Sequence, residues 1–208
     1  MLPRFILLLL LCSATAVTRA EDFPIKKFAA FTWTVDYEPF WSPDGRQIVL
    51  VSSRHGGMKI HLLKADSKTN GSDMRQLTFG NDEDDTPAWS PDGKKIAFVS
   101  IRSEVSQLFV MNAGGTGDRN ISGEATLDGW PAWSHDGRRV IFSRRINDRF
   151  QLFVMNRDGT GIQQLTDAAG EFVNPRWSPD GSKILCARRL GDMNLVIFPA
   201  PPGPARDH

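Results

Sequence analysis

Cysteine is nearly absent from this chain, which excludes a fold that depends on a disulfide framework. Only two of the 208 residues are cysteines. Cys12 lies in an apolar N-terminal segment, and cleavage of that segment would leave Cys186 without a partner for an intramolecular disulfide. Cys186 itself stands in an apolar stretch, where a thiol is inert rather than reactive. Packing and backbone hydrogen bonds must therefore hold the fold together.

An excess of charge of either sign is also missing. Twenty-five lysine and arginine residues face 24 aspartate and glutamate residues, so that the formal net charge is +1. No block of like charge interrupts the sequence. This balance argues against nucleic acid or an acidic membrane surface as the partner.

Catalytic and metal-binding motifs are lacking as well. The sequence contains no Gly-x-Ser-x-Gly nucleophile elbow and no α/β segment that would carry one. No two of its four histidines stand at a spacing typical of metal ligands. We therefore predict that the protein has no catalytic residues and no histidine metal centre, and that it is not an enzyme.

The apolar N-terminus predicts a secretory signal peptide over residues 1–20. Arg4 precedes the apolar run 5–11, which is too short for a convincing membrane span. Cleavage would follow Ala16 or Ala20, and an uncleaved anchor is the alternative. A lipoprotein is disfavoured because Leu11 precedes Cys12, where a small residue is needed. Cleavage after Ala20 removes two arginines and changes the charge from +1 to −1. We expect a periplasmic or secreted protein with no membrane span after cleavage.

What the sequence does contain is a repeat. The block Trp-Ser-Pro-Asp-Gly occurs three times, and Trp-Ser-His-Asp-Gly occurs once. The tryptophans are 48, 44 and 44 residues apart, a period typical of repeat architectures. Each block predicts a tryptophan wedged between repeats, followed by a tight hairpin turn that ends on a left-handed glycine. The structural residues of the four copies are Trp41, Asp44 and Gly45; Trp89, Asp92 and Gly93; Trp133, Asp136 and Gly137; Trp177, Asp180 and Gly181.

Short apolar runs rich in β-formers follow each block, and each repeat closes with a polar strand that starts 14 residues before the next tryptophan. Such a unit of four short antiparallel strands has two apolar faces and cannot bury both alone. Radial stacking buries them, as in a β-propeller. We therefore predict an all-β fold, a β-propeller of four repeats of about 44 residues.

The predicted propeller domain spans residues 21–198, and a Pro-rich tail follows at 199–208. Residues 27–31 stand 14 positions before Trp41, in phase with the closing strands of the other repeats, so that an N-terminal strand would complete the last blade. Two chains forming an eight-bladed ring, as a homodimer, and a shortened copy of a larger propeller are the alternatives. The predicted blades are about 38–86, 87–130, 131–174, and 175–198 with 27–32.

The motifs Pro-x-Trp-Ser-Pro-Asp-Gly, Leu-Phe-Val-Met-Asn and Gln-Leu-Thr resemble the TolB-type propeller repeat, and the resemblance covers residues 27–198. It implies a periplasmic protein that works through contacts with other proteins. The namesake of the family has six blades behind an N-terminal α/β domain, and it binds an outer-membrane lipoprotein and colicins. Similar repeats form the gating propellers of prolyl oligopeptidase-like enzymes and the propellers of sugar lyases.

The resemblance therefore implies an exported scaffold that binds an envelope or secreted protein, or a smaller ligand. The alternative is the propeller of a hydrolase, peptidase or lyase, or a fragment of one. Because propeller repeats serve unrelated functions, the residues that differ between the copies carry more information than the shared ones.

The copies differ just ahead of the inner strand, at the connection that lies at one mouth of a propeller channel. Carboxylates that converge there would focus a negative potential and suit a basic peptide, a cationic ligand or calcium. We predict no other cofactor. The predicted binding residues are Asp36, Glu38, Asp84, Asp85, Asp128, Trp130 and Asn174.

A second interpretation is that these aspartates cap turns and bond local backbone amides. The two interpretations differ in the expected effect of Asp84→Asn combined with Asp128→Asn. A binding role predicts weaker binding of a basic partner at a nearly unchanged melting temperature, whereas turn capping predicts a large loss of stability.

Overall fold

A computed structural model describes residues 34–69, 71–102, 104–123, 127–167 and 169–202, and all regular secondary structure in these ranges is β-strand. This confirms the all-β prediction. No helix with the length and hydropathy of a membrane span occurs in these ranges. The strands are β1 (Asp36–Trp41), β2 (Gln47–Ser52), β3 (Lys59–Lys64), β4 (Arg75–Gln76), β5 (Glu83–Trp89), β6 (Lys95–Arg102), β7 (Val105–Asn112), β8 (Arg119–Asn120), β9 (Asp128–Trp133), β10 (Arg139–Ile146), β11 (Arg149–Asn156), β12 (Gln163–Gln164), β13 (Glu171–Trp177), β14 (Lys183–Leu190) and β15 (Asp192–Pro199).

The strands form four antiparallel sheets, and each sheet is one blade made from one repeat. Blades 1 to 3 contain four strands each, β1–β4, β5–β8 and β9–β12, and blade 4 contains β13–β15. This confirms the four-bladed β-propeller. The inner strands begin between two and four residues before the predicted blade boundaries. The predicted signal peptide, the closing strand at 27–32 and the last six residues of the tail lie outside the described residues.

The hairpin that joins the first two strands of each blade has the same hydrogen bonds in all four copies. In blade 2 the Ser90 hydroxyl donates to Asp92 at 2.6 Å and accepts the Lys95 amide at 2.9 Å, while Asp92 accepts the Lys94 amide at 3.0 Å. The turn ends on a glycine with φ between +67° and +71°, a conformation that costs glycine little. The serine and aspartate of the repeated block therefore stabilise a turn. In blade 4 the hydroxyl and amide donors lower the pKa of Asp180 to about 2.

The core consists of three apolar layers, one between each pair of neighbouring blades. We name the side of a blade that faces the preceding blade its leading face and the opposite side its trailing face. Between blades 2 and 3, for example, Val110 of the trailing face and Phe142 of the leading face are 4% and 0% exposed. The inner strands pack on each other in chain order, β1 with β5, β5 with β9 and β9 with β13.

Three of the four repeat tryptophans pack in these layers, as wedges between blades. Trp133 is 9% exposed, and its indole N–H donates to the Ala88 carbonyl of blade 2 at 3.1 Å. Trp177 makes the equivalent bond to Ala132 of blade 3 at 3.3 Å. Trp41 differs, because it lies on the leading face of the first described blade and is 62% exposed.

Candidate functional site

Each inner strand carries a β-bulge three residues before its tryptophan. The pairing register shifts at this point in all four blades, and the residue there has a positive φ of 46° to 56°. A proline follows it in every copy, and proline has no N–H to continue the ladder. Positive φ is costly for a residue with a side chain and is sparsely populated before proline. Such strained residues often cluster at functional sites. The four bulge residues are Glu38, Thr86, Trp130 and Asn174.

These bulges define one end of the propeller, which we name the bulge end. Glu38 of blade 1 lies close enough to Asp85 of blade 2 and to Arg176 of blade 4 for their charges to affect its ionisation. Three inner strands thus bring charged side chains together at the channel. The Arg176 guanidinium also lies over the Phe40 ring of blade 1, 5.4 Å from its centroid.

Glu38 is the most perturbed acid in this group. Burial and the nearby Asp85 carboxylate raise the pKa of Glu38 to about 7, and Arg176 opposes the shift. Its Oε2 atom is buried and has no hydrogen-bond partner among the described residues, and the same is true of Thr86 Oγ1. Buried polar atoms without partners are uncommon in folded proteins. They mark places where a ligand or an ion can supply the missing bond.

Asp85 is held from two sides. Its carboxylate accepts the Thr86 amide at 2.6 Å and a hydrogen bond from the Tyr37 hydroxyl. Burial nevertheless raises the pKa of Asp85. Burial and the carboxylate of Asp85 also raise the pKa of Tyr37, which keeps its hydroxyl protonated as a donor. Asp85 is therefore a fixed, partly desolvated acceptor beside Glu38.

The carboxylates that stand five residues before the tryptophans differ from Glu38 and Asp85, because they are ion-paired. Asp36 and Asp128 are the first residues of their inner strands, and Asp84 is the second residue of its strand. Each of these carboxylates forms an ion pair with a basic side chain, which neither sequence interpretation included. Neutralised in this way, they add less negative potential to the channel than free carboxylates would. The pairs are Asp36 with Arg54 at 2.7 Å, Asp84 with Lys59 at 3.5 Å, and Asp128 with Arg144 at 2.8 Å.

Blade 4 replaces this carboxylate with Phe172 and keeps the cation. Phe172 is 2% exposed, and the Arg188 guanidinium lies 5.5 Å from its ring centroid. The aromatic face offers the cation an attraction of its own. A basic residue beside this position is thus common to all four blades, which identifies the position as structural.

The two remaining bulge residues behave unlike Glu38. Trp130 packs edge-on against Phe150 of its own blade, with ring centroids 5.4 Å apart at 79°. Asn174 is exposed. The bulge end therefore has an acidic side at blades 1 and 2, and an aromatic and amide side at blades 3 and 4.

Sequence reasoning did not single out Tyr37 and Arg176. Each carried a signal: Tyr37 is the one tyrosine of the chain, and Arg176 is the charged residue at a position that is Phe40, Ala88 or Ala132 in the other copies. Only the fold shows that Tyr37 bonds to Asp85 and that Arg176 lies near Glu38.

The structure also brings two histidines together that their spacing did not associate. The rings of His55 and His61 stack with centroids 5.2 Å apart, and His55 Nδ1 lies 3.0 Å from His61 Nε2. His61 Nδ1 donates to the Lys59 carbonyl at 3.0 Å. Burial lowers the pKa of His61, so that the ring is neutral and Nε2 accepts from His55. No cluster of three or more metal-ligating side chains occurs in the described part of the chain.

Comparisons with known proteins agree with the fold. A family model described as the TolB beta propeller domain matches residues 86–198. The structure of a TolB protein from Agrobacterium tumefaciens superimposes with a TM-score of 0.67 at 23% identity, over 76% of this chain and 59% of that one. TolB from Acinetobacter baumannii gives a TM-score of 0.66 at 21% identity, over 79% of this chain and 41% of that one.

An enzyme has a similar domain. A puromycin-hydrolyzing peptidase of Mycobacterium tuberculosis gives a TM-score of 0.66 at 18% identity, over 79% of this chain and 28% of that one. No match was found among the curated proteins. At these identities the structural likenesses show the fold alone, and the chain spans less than two thirds of the length of the TolB structures. The family model, however, covers more than half of this sequence. The chain therefore belongs to the TolB beta propeller domain family.

Proposed function

We propose that this chain is an exported propeller that binds a segment of a partner protein at the bulge end, with Glu38 and Asp85 receiving a positively charged side chain. The observation that carries the proposal is the buried Glu38 Oε2 atom, which has no hydrogen-bond partner among the described residues. An ammonium or guanidinium group would supply the donor and favour the ionised carboxylate.

The pattern of charges at this end supports the assignment. The carboxylates of Asp36, Asp84 and Asp128 are already neutralised by basic side chains. Glu38 and Asp85 form no ion pair within the described residues, and burial disfavours their ionisation. Burying a carboxylate without an ion-pair partner lowers the stability of the folded protein. Proteins commonly accept this loss at positions that bind a ligand.

The aromatic side of the bulge end suits the rest of a peptide. Trp130 packs against Phe150 and is half-buried, so that part of this residue remains accessible at the bulge end. Aromatic anchors beside polar groups are typical of protein-binding surfaces. Calcium is a second ligand class for the same carboxylates, since it takes oxygen ligands.

Peptide binding measured by calorimetry or fluorescence anisotropy tests the proposal. The probes are extended peptides with a central lysine or arginine, and the same peptides with glutamine at that position. The wild-type chain should prefer the basic peptides, and Glu38→Gln and Asp85→Asn should each weaken binding by roughly tenfold. Asp66→Asn is the control, because it removes the same charge from an exposed loop outside the bulge end. Equal binding of basic and neutral peptides contradicts the proposal, and a titration with calcium alone tests the second ligand class.

The export of the protein is part of this proposal. The predicted signal peptide and membership in the TolB beta propeller family support a periplasmic or secreted location and an envelope or secreted partner. Mass spectrometry of the protein recovered outside the cytoplasm should show a new N-terminus at residue 17 or 21. An intact N-terminus on cytoplasmic protein would contradict export.

The alternative is that the chain serves as the propeller of a hydrolase, peptidase or lyase. The likeness to the puromycin-hydrolyzing peptidase supports this alternative at the level of the fold. Turnover of peptide or glycan substrates by the purified chain would favour it. Binding of basic peptides without turnover favours the scaffold.

A further inference from the structure

The trailing face of blade 4 is an apolar sheet face that the described structure leaves open. Leu185 of β14 and Leu195 and Ile197 of β15 lie on this face and are 40%, 67% and 65% exposed. Their neighbours on the opposite face of the same strands, Ile184 and Cys186, are each 1% exposed. One side of the blade is therefore core and the other is surface, although both are apolar.

The equivalent positions of the other blades are all buried. Ile141, Leu152 and Val154 occupy them in blade 3 and are 0%, 1% and 4% exposed. The leading face of the next blade covers them, and its tryptophan donates to a carbonyl of the covered blade, as Trp177 does to Ala132. The sequence of blade 4 thus retains a face that fits the leading face of a TolB-type blade.

The repeat tryptophan on the leading face of blade 1, Trp41, packs against no preceding blade in the described part of the chain. Trp41 is 62% exposed, whereas Leu50 and Leu63 on the same side of blade 1 are 7% and 4% exposed. Blade 4 does not cover Trp41 within one chain. Among the described residues, only Arg176 is seen to reach from blade 4 to blade 1, at the Phe40 ring, and it leaves both Trp41 and Ile197 exposed.

Blade 4 also has a basic residue at the position that contacts the tryptophan of the next blade in the interface between blades 3 and 4. Arg139, six residues after Trp133, lies over the ring of Trp177 in the next blade, 4.8 Å from its centroid. Lys183 stands six residues after Trp177 and is exposed at the end of the open face. A tryptophan seated on blade 4 as Trp177 sits on blade 3 would therefore meet a cation.

The outer edge of blade 4 is also open, because this blade has no fourth strand in the described structure. In blades 1 to 3 the fourth strand begins 14 residues before the next tryptophan, and its two residues pair with the third strand, as Gln163 and Gln164 pair with Val154 and Phe153. Blade 4 has three strands in the described structure. Lys27 stands 14 residues before Trp41, outside the described residues, at the position of such a strand.

We propose that a second copy of this chain docks head to tail on blade 4, with its Trp41 against the trailing face. The contact continues the interface that already joins the blades within one chain. It is a heterologous contact, because it uses a different surface on each copy. Because the inner strands also pack on each other in that interface, the contact reaches the bulge end. Self-association is measured without any peptide, so a failure of this proposal is distinguishable from a failure of the proposed binding function.

Light scattering coupled to size exclusion tests the proposal with the purified chain and its variants at concentrations up to about 100 µM. The wild-type chain should have at least twice the monomer mass. Ile197→Glu on the trailing face and Trp41→Ser on the leading side should each weaken self-association by at least roughly tenfold. Ile162→Glu is the control, because Ile162 is an exposed aliphatic residue outside both surfaces, at 39% exposure.

Mixing the two variants gives the sharpest result. Ile197→Glu keeps an intact Trp41, and Trp41→Ser keeps an intact trailing face. A head-to-tail contact therefore predicts that the mixture associates more strongly than either variant alone. A monomeric wild-type chain overturns the proposal. Self-association that Trp41→Ser leaves intact also overturns it, since two trailing faces would then be in contact. Circular dichroism checks that Ile197→Glu and Trp41→Ser, both at exposed positions, retain the wild-type fold.

Discussion

Arg144 donates two hydrogen bonds to Asp128, at 2.8 and 3.0 Å, and a third at 2.8 Å to the carbonyl of Ser122. The Asp128 side chain is fully buried and that of Arg144 is 11% exposed. This pair links the inner strand of blade 3 to the second strand of the same blade. The bond to Ser122 adds the segment that precedes the inner strand. Removing one charge would leave the other buried without its partner.

We therefore expect Asp128→Asn to lower the free energy of unfolding by about 3 kcal/mol. Asp148→Asn is the matched control, since Asp148 pairs with Arg145 at 3.2 Å but is 93% exposed, and it should change stability by less than about 0.5 kcal/mol. Urea denaturation of both variants measures the difference. Equal stabilities would show that the buried pair contributes nothing to the fold. The pairing also changes the expected result of Asp84→Asn with Asp128→Asn, which should now include a loss of stability.

Glu38→Gln should stabilise the protein in alkaline solution. The pKa of Glu38 rises from 4.5 to about 7 on folding, so the folded chain holds a proton that the unfolded chain has released between these values. Stability due to Glu38 therefore falls as the pH rises through this window. At pH 8 the variant should gain about 1 kcal/mol after allowance for solvent screening, and at pH 4 it should match the wild type. Thermal melts of the wild type and Glu38→Gln at both pH values measure this gain. A stability difference that does not change with pH would contradict the raised pKa of Glu38.

Binding of a basic peptide should strengthen with pH for the same reason. Ionised Glu38 is the form that attracts a cation, and its population rises between pH 6 and pH 8. Asp85 and Arg176 face the same site, and burial raises the pKa of Asp85 as well. We expect affinity to rise roughly tenfold at most over this range in the wild type and to stay flat in Glu38→Gln. Anisotropy titrations at constant ionic strength measure the profile.

His135→Pro should stabilise the third hairpin turn. The turn of blade 3 has the same hydrogen bonds as the three turns that contain proline, with the Gly137 amide donating to the Ser134 carbonyl at 2.9 Å. Its backbone therefore accepts proline without rearrangement, and proline restricts the unfolded chain. The expected gain is about 0.4–1 kcal/mol by chemical denaturation. Pro91→His in blade 2 is the reverse change and should cost a similar amount.

The fold could be predicted from the sequence because its determinants repeat. Trp133 and Trp177, the hairpin serines and the turn glycines occupy equivalent positions, and each copy makes the same local bonds. A pattern that recurs at a fixed period identifies strands, turns and wedges without knowledge of long-range contacts.

The candidate site was less accessible to such reasoning. The sequence predicted the aspartates five residues before the tryptophans in the connection ahead of the inner strand, whereas they lie within the first two residues of that strand. Their basic partners Lys59 and Arg144 are distant in sequence and vary in position. The bulge at Glu38 depends on a backbone conformation that composition does not reveal. The proximity of Arg176 to Glu38 depends on how the four blades curve around the channel.

The one-sided burial of blade 4 also affects how the molecule opens. In an array whose units touch only their neighbours, each unit is stabilised by its own folding and by its shared borders. Blades 2 and 3 have two such borders, whereas the strand pair carrying Leu195 and Ile197 has one. Local unfolding should therefore start in blade 4, and amide hydrogens of β14 and β15 should exchange with solvent faster than those of β10 and β11. If a second copy covers this blade, their exchange rates will fall as the protein concentration rises.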